Sequence, residues 1–167
     1  GMDAATAWQA LDHEGDTLAS LSPGFQAAVG NLYLSAGLVK GIDVYAEFYM
    51  GSKGHQGQFY DREGYVMLSE LPESWDILGL NRVLEYVDVK AGHFEIDFGN
   101  QHRFRSDNAQ VQRNPLIGNF IVDENTVEAG FEVIGHAGMV HALAGYGGGV
   151  TTENFLDERG SSLHGKV

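Results

Sequence analysis

The sequence predicts an all-β, antiparallel chain, a meander forming a complete or partial β-barrel with one short helix near its N-terminus. Three observations lead there. Apolar and polar residues alternate over long stretches, the signature of strands with one face in an apolar environment. Glycine is abundant at 23 residues while proline is scarce at 3, which suits many strands joined by turns. The alternating stretches also run to roughly nine to eleven residues, the length of a tilted membrane-crossing strand and longer than the usual ~5–6 of globular strands.

Along the chain, residues 3–21 carry the helical signal, with Ala4, Ala5, Ala7, Trp8, Leu11, Leu18 and Leu21 spaced among acids. Residues 1–24 are therefore expected to be a helical or linker segment, closed by a turn at Ser22-Pro23-Gly24. Residues 25–167 are expected to be the β domain. Leu32, Leu34, Ala36 and Leu38 share one parity, Lys40-Gly41 marks a turn, and Ile42, Val44, Ala46, Phe48 and Met50 return on one face. Asp43, Tyr45, Glu47 and Tyr49 form the opposite face. A loop over 51–57, a strand from Phe59 to Leu71 and a loop over 72–80 follow. The segment from Arg82 to Phe98 reads as the longest β stretch. Its apolar parity changes at Gly92, which predicts a bulge or kink there. Residues 99–115 show no period and are expected to be a long polar loop. Strands are expected again around Val127–Val133, where Glu128, Gly130 and Glu132 form the polar parity, and over Met139–Tyr146, with the start of another at His164. Gly145 through Gly149 reads as a turn, because it lacks the Lys-Ser/Thr of a phosphate loop.

Composition removes several functions. The net charge of −13 leaves no basic footprint for nucleic acid. With no cysteine, disulfides, thiolate catalysis and cysteine-ligated zinc are excluded. No apolar run reaches the ~18 residues of a membrane helix, a test to which β-barrels are blind.

Two stretches, residues 31–72 and 87–135, resemble the N-terminal half of porin-like outer-membrane β-barrels, in the style of phosphate-selective and alginate-type porins. The anchors are Lys90-Ala91-Gly92-His93, Glu95-Ile96 with Gly99, Arg105-Ser106-Asp107-Asn108, and Asn114-Pro115 with Gly118-Asn119. Met139 through Gly147 and Gly165-Lys166 are similar as well. The order His102-Arg103-Phe104-Arg105 departs from the family's His-Phe-Arg-Arg. Family barrels are longer than this chain, so a truncated fragment is expected, with open strand edges that can pair between copies into a homo-oligomer. The resemblance implies a passive outer-membrane channel for small hydrophilic solutes or anions, surrounded in the parent protein by outer-membrane lipid, with no enzyme activity and no cofactor. The isolated fragment can be soluble.

Candidate site residues fall in two groups. His93, Glu95 and Asp97 lie two apart on one strand and offer imidazole and carboxylate to a metal, yet three ligands in a row splay along a strand. A row of polar groups facing water or a lumen explains them equally, so no metal is assigned. His102, Arg103, Arg105, Asp107, Asn108 and Arg113 occupy the polar stretch and suit a selective constriction, or a loop pinned by Arg–Asp pairs. Asp61 and Glu63 share one strand parity and could be read as a glycosidase pair, with nothing else in support. The tyrosines at 45, 49, 60, 65 and 86 fit an interfacial belt, sugar-stacking platforms or plain strand preference. The alternative class is a soluble β-sandwich or small barrel that binds a ligand such as a carbohydrate. In that case Ile42, Val44, Ala46 and Phe48 face a core instead of lipid.

Overall fold

A computed structural model describes residues 1–6, 8–10, 24–25, 28–51, 59–96, 127–148 and 161–167. Its strands are β1 (Met2–Ala5), β2 (Trp8–Gln9), β3 (Gly24–Phe25), β4 (Val29–Val39), β5 (Ile42–Gly51), β6 (Phe59–Leu68), β7 (Val87–Glu95), β8 (Val127–Ala137), β9 (Val140–Gly147) and β10 (Ser162–Lys166). Eight of them form one antiparallel sheet in the order β1-β4-β5-β6-β7-β8-β9-β10, and β2 pairs with β3. From β4 onward each strand neighbours the next in sequence, so the all-β antiparallel meander is established. The sheet stays open among the described residues, because β1 and β10 are its two edges and do not pair.

The local reasons are legible. β4 and β5 alternate apolar and polar residues, and Lys40-Gly41 joins them as a two-residue turn with Gly41 at φ 79°. β8 and β9 are joined in the same way through Gly138-Met139. In a meander these two turns and the β6–β7 connection fall at one end of the sheet.

Three expectations change. The helix expected over residues 3–21 gives way to strand at Met2–Ala5 and Trp8–Gln9, while residues 11–21 lie outside the described set. β1 satisfies its backbone on β4, and Asp3 accepts hydrogen bonds from the Asn31 amide nitrogen (3.2 Å) and the Tyr33 hydroxyl (2.9 Å). At Met2–Ala5, long-range pairing thus overrides a weak helical period. The N-terminal part of the Arg82–Phe98 segment is instead α1 (Asn81–Leu84), the one helix among the described residues.

The pairing of β7 with both neighbours runs through Gly92 without a register shift, so there is no bulge there. The kink is local: Gly92 adopts φ 147°, and a Cβ at this position would strike the backbone of Gly64 and Tyr65. The bulge occurs instead in β6, where the register with β5 shifts between Glu47↔Glu63 and Phe48↔Asp61. Arg62 is the extra residue and is buried.

Candidate functional site

Across the middle of the sheet the two faces differ in chemistry. Directly paired residues on neighbouring strands share a face, so the register defines each face without ambiguity. One lateral row runs Ala36, Val44, Val66, Ala91, Phe131, Tyr146, Leu163 across seven strands. Such apolar residues remain open to the surroundings: Val66 is 40%, Phe131 47% and Leu163 84% exposed. The row one step along on the other face runs Gly37, Asp43, Met67, Lys90, Glu132, Gly145, His164. On this polar face charged groups are buried, with Glu132 at 0%, Glu128 at 3% and Lys90 at 4% exposed, beside buried Phe94 and Tyr49.

The centre of the polar face is a bridged network. Glu132 on β8 holds the Lys90 ammonium of β7 at 3.1 Å through one carboxylate oxygen. Its other oxygen meets His164 Nε2 of β10 at 2.8 Å. Lys90 also sits over the rings of Phe94 and Tyr65, 4.0 and 4.7 Å from their centroids. Next to it, the Ser162 hydroxyl of β10 donates to the Glu128 carboxylate of β8.

Both β8–β10 pairs must cross the intervening strand β9, a span of about 9.5 Å at ordinary strand spacing. They can because β9 presents glycine at both crossings. A Cβ on Gly145 would collide with the His164 imidazole and come within 2.9 Å of Glu132 Cγ. One on Gly147 would collide with the Glu128 carboxylate and lie 2.8 Å from Ser162 Oγ. The run expected to be a turn is therefore strand as far as Gly147, with small residues on the polar face and Tyr146 on the apolar one.

Of the sequence-derived candidates, His93 and Glu95 are described. The continuous register through Gly92 assigns both to the parity of Ala91 and Phe131, away from the Lys90 network. His93 is half-buried; Glu95 is buried, and its backbone N–H donates to Glu63 Oε1 at 2.6 Å. Asp97, His102, Arg103, Arg105, Asp107, Asn108 and Arg113 lie outside the described residues. No group of three His, Asp or Glu is arranged to hold a metal among the described residues. The shared face proposed for Asp61 and Glu63 is undone by the bulge, since Asp61 pairs with Phe48 and Glu63 with Glu47 on opposite faces.

The residues that the sequence did not single out are Lys90, Glu128, Glu132, Ser162 and His164. Glu128 and Glu132 did carry a signal: acids at i and i+4 in a strand whose other parity is apolar. The two tyrosine pairs also gain definition. Tyr45 stacks on Tyr65 and Tyr49 on Tyr60, with centroids 5.1 and 4.9 Å apart, all on the polar face. Tyr86 stands apart, in the turn before β7.

No family model, curated protein or solved structure matches the chain. The likeness to porin-like barrels rests on the sequence anchors alone.

Proposed function

We propose that the chain is a section of the wall of an outer-membrane channel for passive passage of small hydrophilic solutes. Its polar face looks toward the lumen and its apolar face toward lipid. The observation that carries this reading is the inversion of burial across the sheet: Glu132, Glu128 and Lys90 are buried while Val66, Phe131 and Leu163 are exposed. A soluble sandwich buries its apolar face against a second sheet and leaves the polar face to water. A membrane barrel does the opposite, with a polar interior and an outward apolar band. The strand lengths agree, since β4 to β8 span 9 to 11 residues, matching the ~9–11 needed to cross a bilayer with tilt. Both two-residue turns fall at one end, as the short periplasmic turns of such barrels do.

The test begins with light scattering and far-UV circular dichroism on the purified chain without detergent. Aggregation that detergent or lipid converts to a β-rich species, followed by ion conductance across a planar bilayer, supports the channel wall. A monodisperse β-rich species in plain buffer that ignores detergent sinks it and favours a soluble ligand-binding barrel.

A further inference from the structure

Beside the β8–β9 turn, three neighbouring strands bring two imidazoles and a carboxylate to one face. His136 on β8 lies directly opposite His141 on β9. Asp88 on β7 pairs with Ile134, two residues before His136, on the face that also carries Lys90 and Glu132. The His136 backbone N–H is spent on the β7 side, where it donates to the Tyr86 carbonyl at 2.9 Å. Toward β9, His136 and His141 therefore form a pair of the non-hydrogen-bonded kind, with Cα atoms about 4.5 Å apart and side chains at their closest.

The His136 ring is held as a ligand would be. Its Nε2 meets the Glu85 backbone carbonyl at 3.1 Å. A carbonyl only accepts, so the proton sits on Nε2, and in the neutral ring the lone pair is on Nδ1. That nitrogen faces Asp88 Oδ2 at 3.8 Å. Two acceptors facing each other gain nothing from direct contact, whereas a cation between them satisfies both. Donation of the second ring N–H to a backbone carbonyl is the usual outer support of a metal-bound histidine. Zinc holds imidazole nitrogen and carboxylate oxygen at about 2.0–2.2 Å, which sets tetrahedral donors about 3.3 Å apart, so the 3.8 Å gap closes with a shift of about 0.5 Å.

We propose that His136 Nδ1, Asp88 and His141 take a divalent transition-metal ion of the zinc class, with water completing its shell. The three donors do not converge on one point in the structure. His141 is the one that has to move, and its side chain is exposed and free to turn across the pair. Imidazole with carboxylate favours zinc, copper or nickel over magnesium and calcium. The site goes beyond the channel-wall reading and does not depend on it, because it needs only the pairing of β7, β8 and β9.

The experiment titrates Zn2+ into the whole chain by calorimetry, in whichever medium, buffer or detergent, keeps it β-rich by circular dichroism. One ion should bind per chain. His136→Gln keeps a side-chain donor for the Glu85 carbonyl but removes the ring lone pair; His141→Ala removes the third donor. Each should weaken binding by about 100-fold or more, since an outer partner alone is worth about 10–100-fold. His93→Gln, on the opposite face, should leave binding unchanged. The urea midpoint of His136→Gln should stay in place, which separates lost ligation from lost structure; should it fall, His141→Ala at its exposed position decides alone. Binding that survives either His136→Gln or His141→Ala overturns the site. So does a β-rich chain that takes up no Zn2+, the result expected if His136 is a protonated partner of Asp88 and nothing more.

Discussion

Replacing Lys90 with methionine tests whether the polar face is held by the network described above. The methionine keeps the apolar length that packs on Phe94 and Tyr65 but removes the ammonium 3.1 Å from Glu132. Both side chains are almost wholly buried, at 5% and 1% exposure, so solvent cannot take over from the lost partner. His164 then remains as the neighbour of a buried carboxylate, and breaking a buried pair from one side costs about 3–5 kcal/mol. The double variant Lys90→Met/Glu132→Leu removes the stranded charge as well. Its loss should fall below the sum of the two single losses by about 2–3 kcal/mol, the coupling expected of residues in contact. The assay is reversible urea unfolding in detergent micelles followed by tryptophan fluorescence, repeated at two salt concentrations. Buried charges are poorly screened, so the coupling should hardly change with salt. A single-variant cost under about 1 kcal/mol, or a coupling that vanishes in salt, is the behaviour of an exposed pair and would refute the buried network.

Three further outcomes follow from the same geometry. Gly145→Ala should cost about 1–3 kcal/mol by overpacking, because its Cβ meets His164 and Glu132; Gly64→Ala, which meets nothing within 4 Å, serves as the control in the same unfolding assay. Val133→Arg should destabilise the bilayer-folded chain by about 2–4 kcal/mol if position 133 faces the membrane interior, whereas a change within about 0.5 kcal/mol is what a water-facing site would give. At the turn, the hydrogen bond and charge of Glu70 raise the Lys40 amine above its ordinary value. A raised amine favours the folded state at pH below its unfolded value and loses that contribution as pH climbs through the folded one. Glu70→Gln should lower the Lys40 titration midpoint measured by NMR; an unmoved midpoint contradicts the pairing.

The alternation of Ile42 through Met50, the Lys40-Gly41 turn and the Val127–Val133 strand were all readable in the sequence, because side-chain parity and a two-residue turn are local properties. The antiparallel meander follows from them. Strand breaks and faces at irregular points were not readable. The apolar parity of the sequence changes at Gly92, yet the ladder continues through it and the extra residue falls at Arg62, because only the partner strand decides where a register slips. That choice sent His93 and Glu95 to the apolar face and parted Asp61 from Glu63.

By itself, the sequence determined the β class, the turn position between β4 and β5, and an acidic chain without cysteine. Tertiary structure alone decided that Met2–Ala5 is an edge strand, since its hydrogen-bond partners lie on β4. It alone decided that Lys90, Glu132 and His164 meet. They come from three strands far apart in sequence, and their contact depends on Gly145 being where a larger side chain would block the crossing. No local pattern encodes that coincidence. The differing chemistry of the two faces is a sum over paired strands, and it exists only once the register has been fixed.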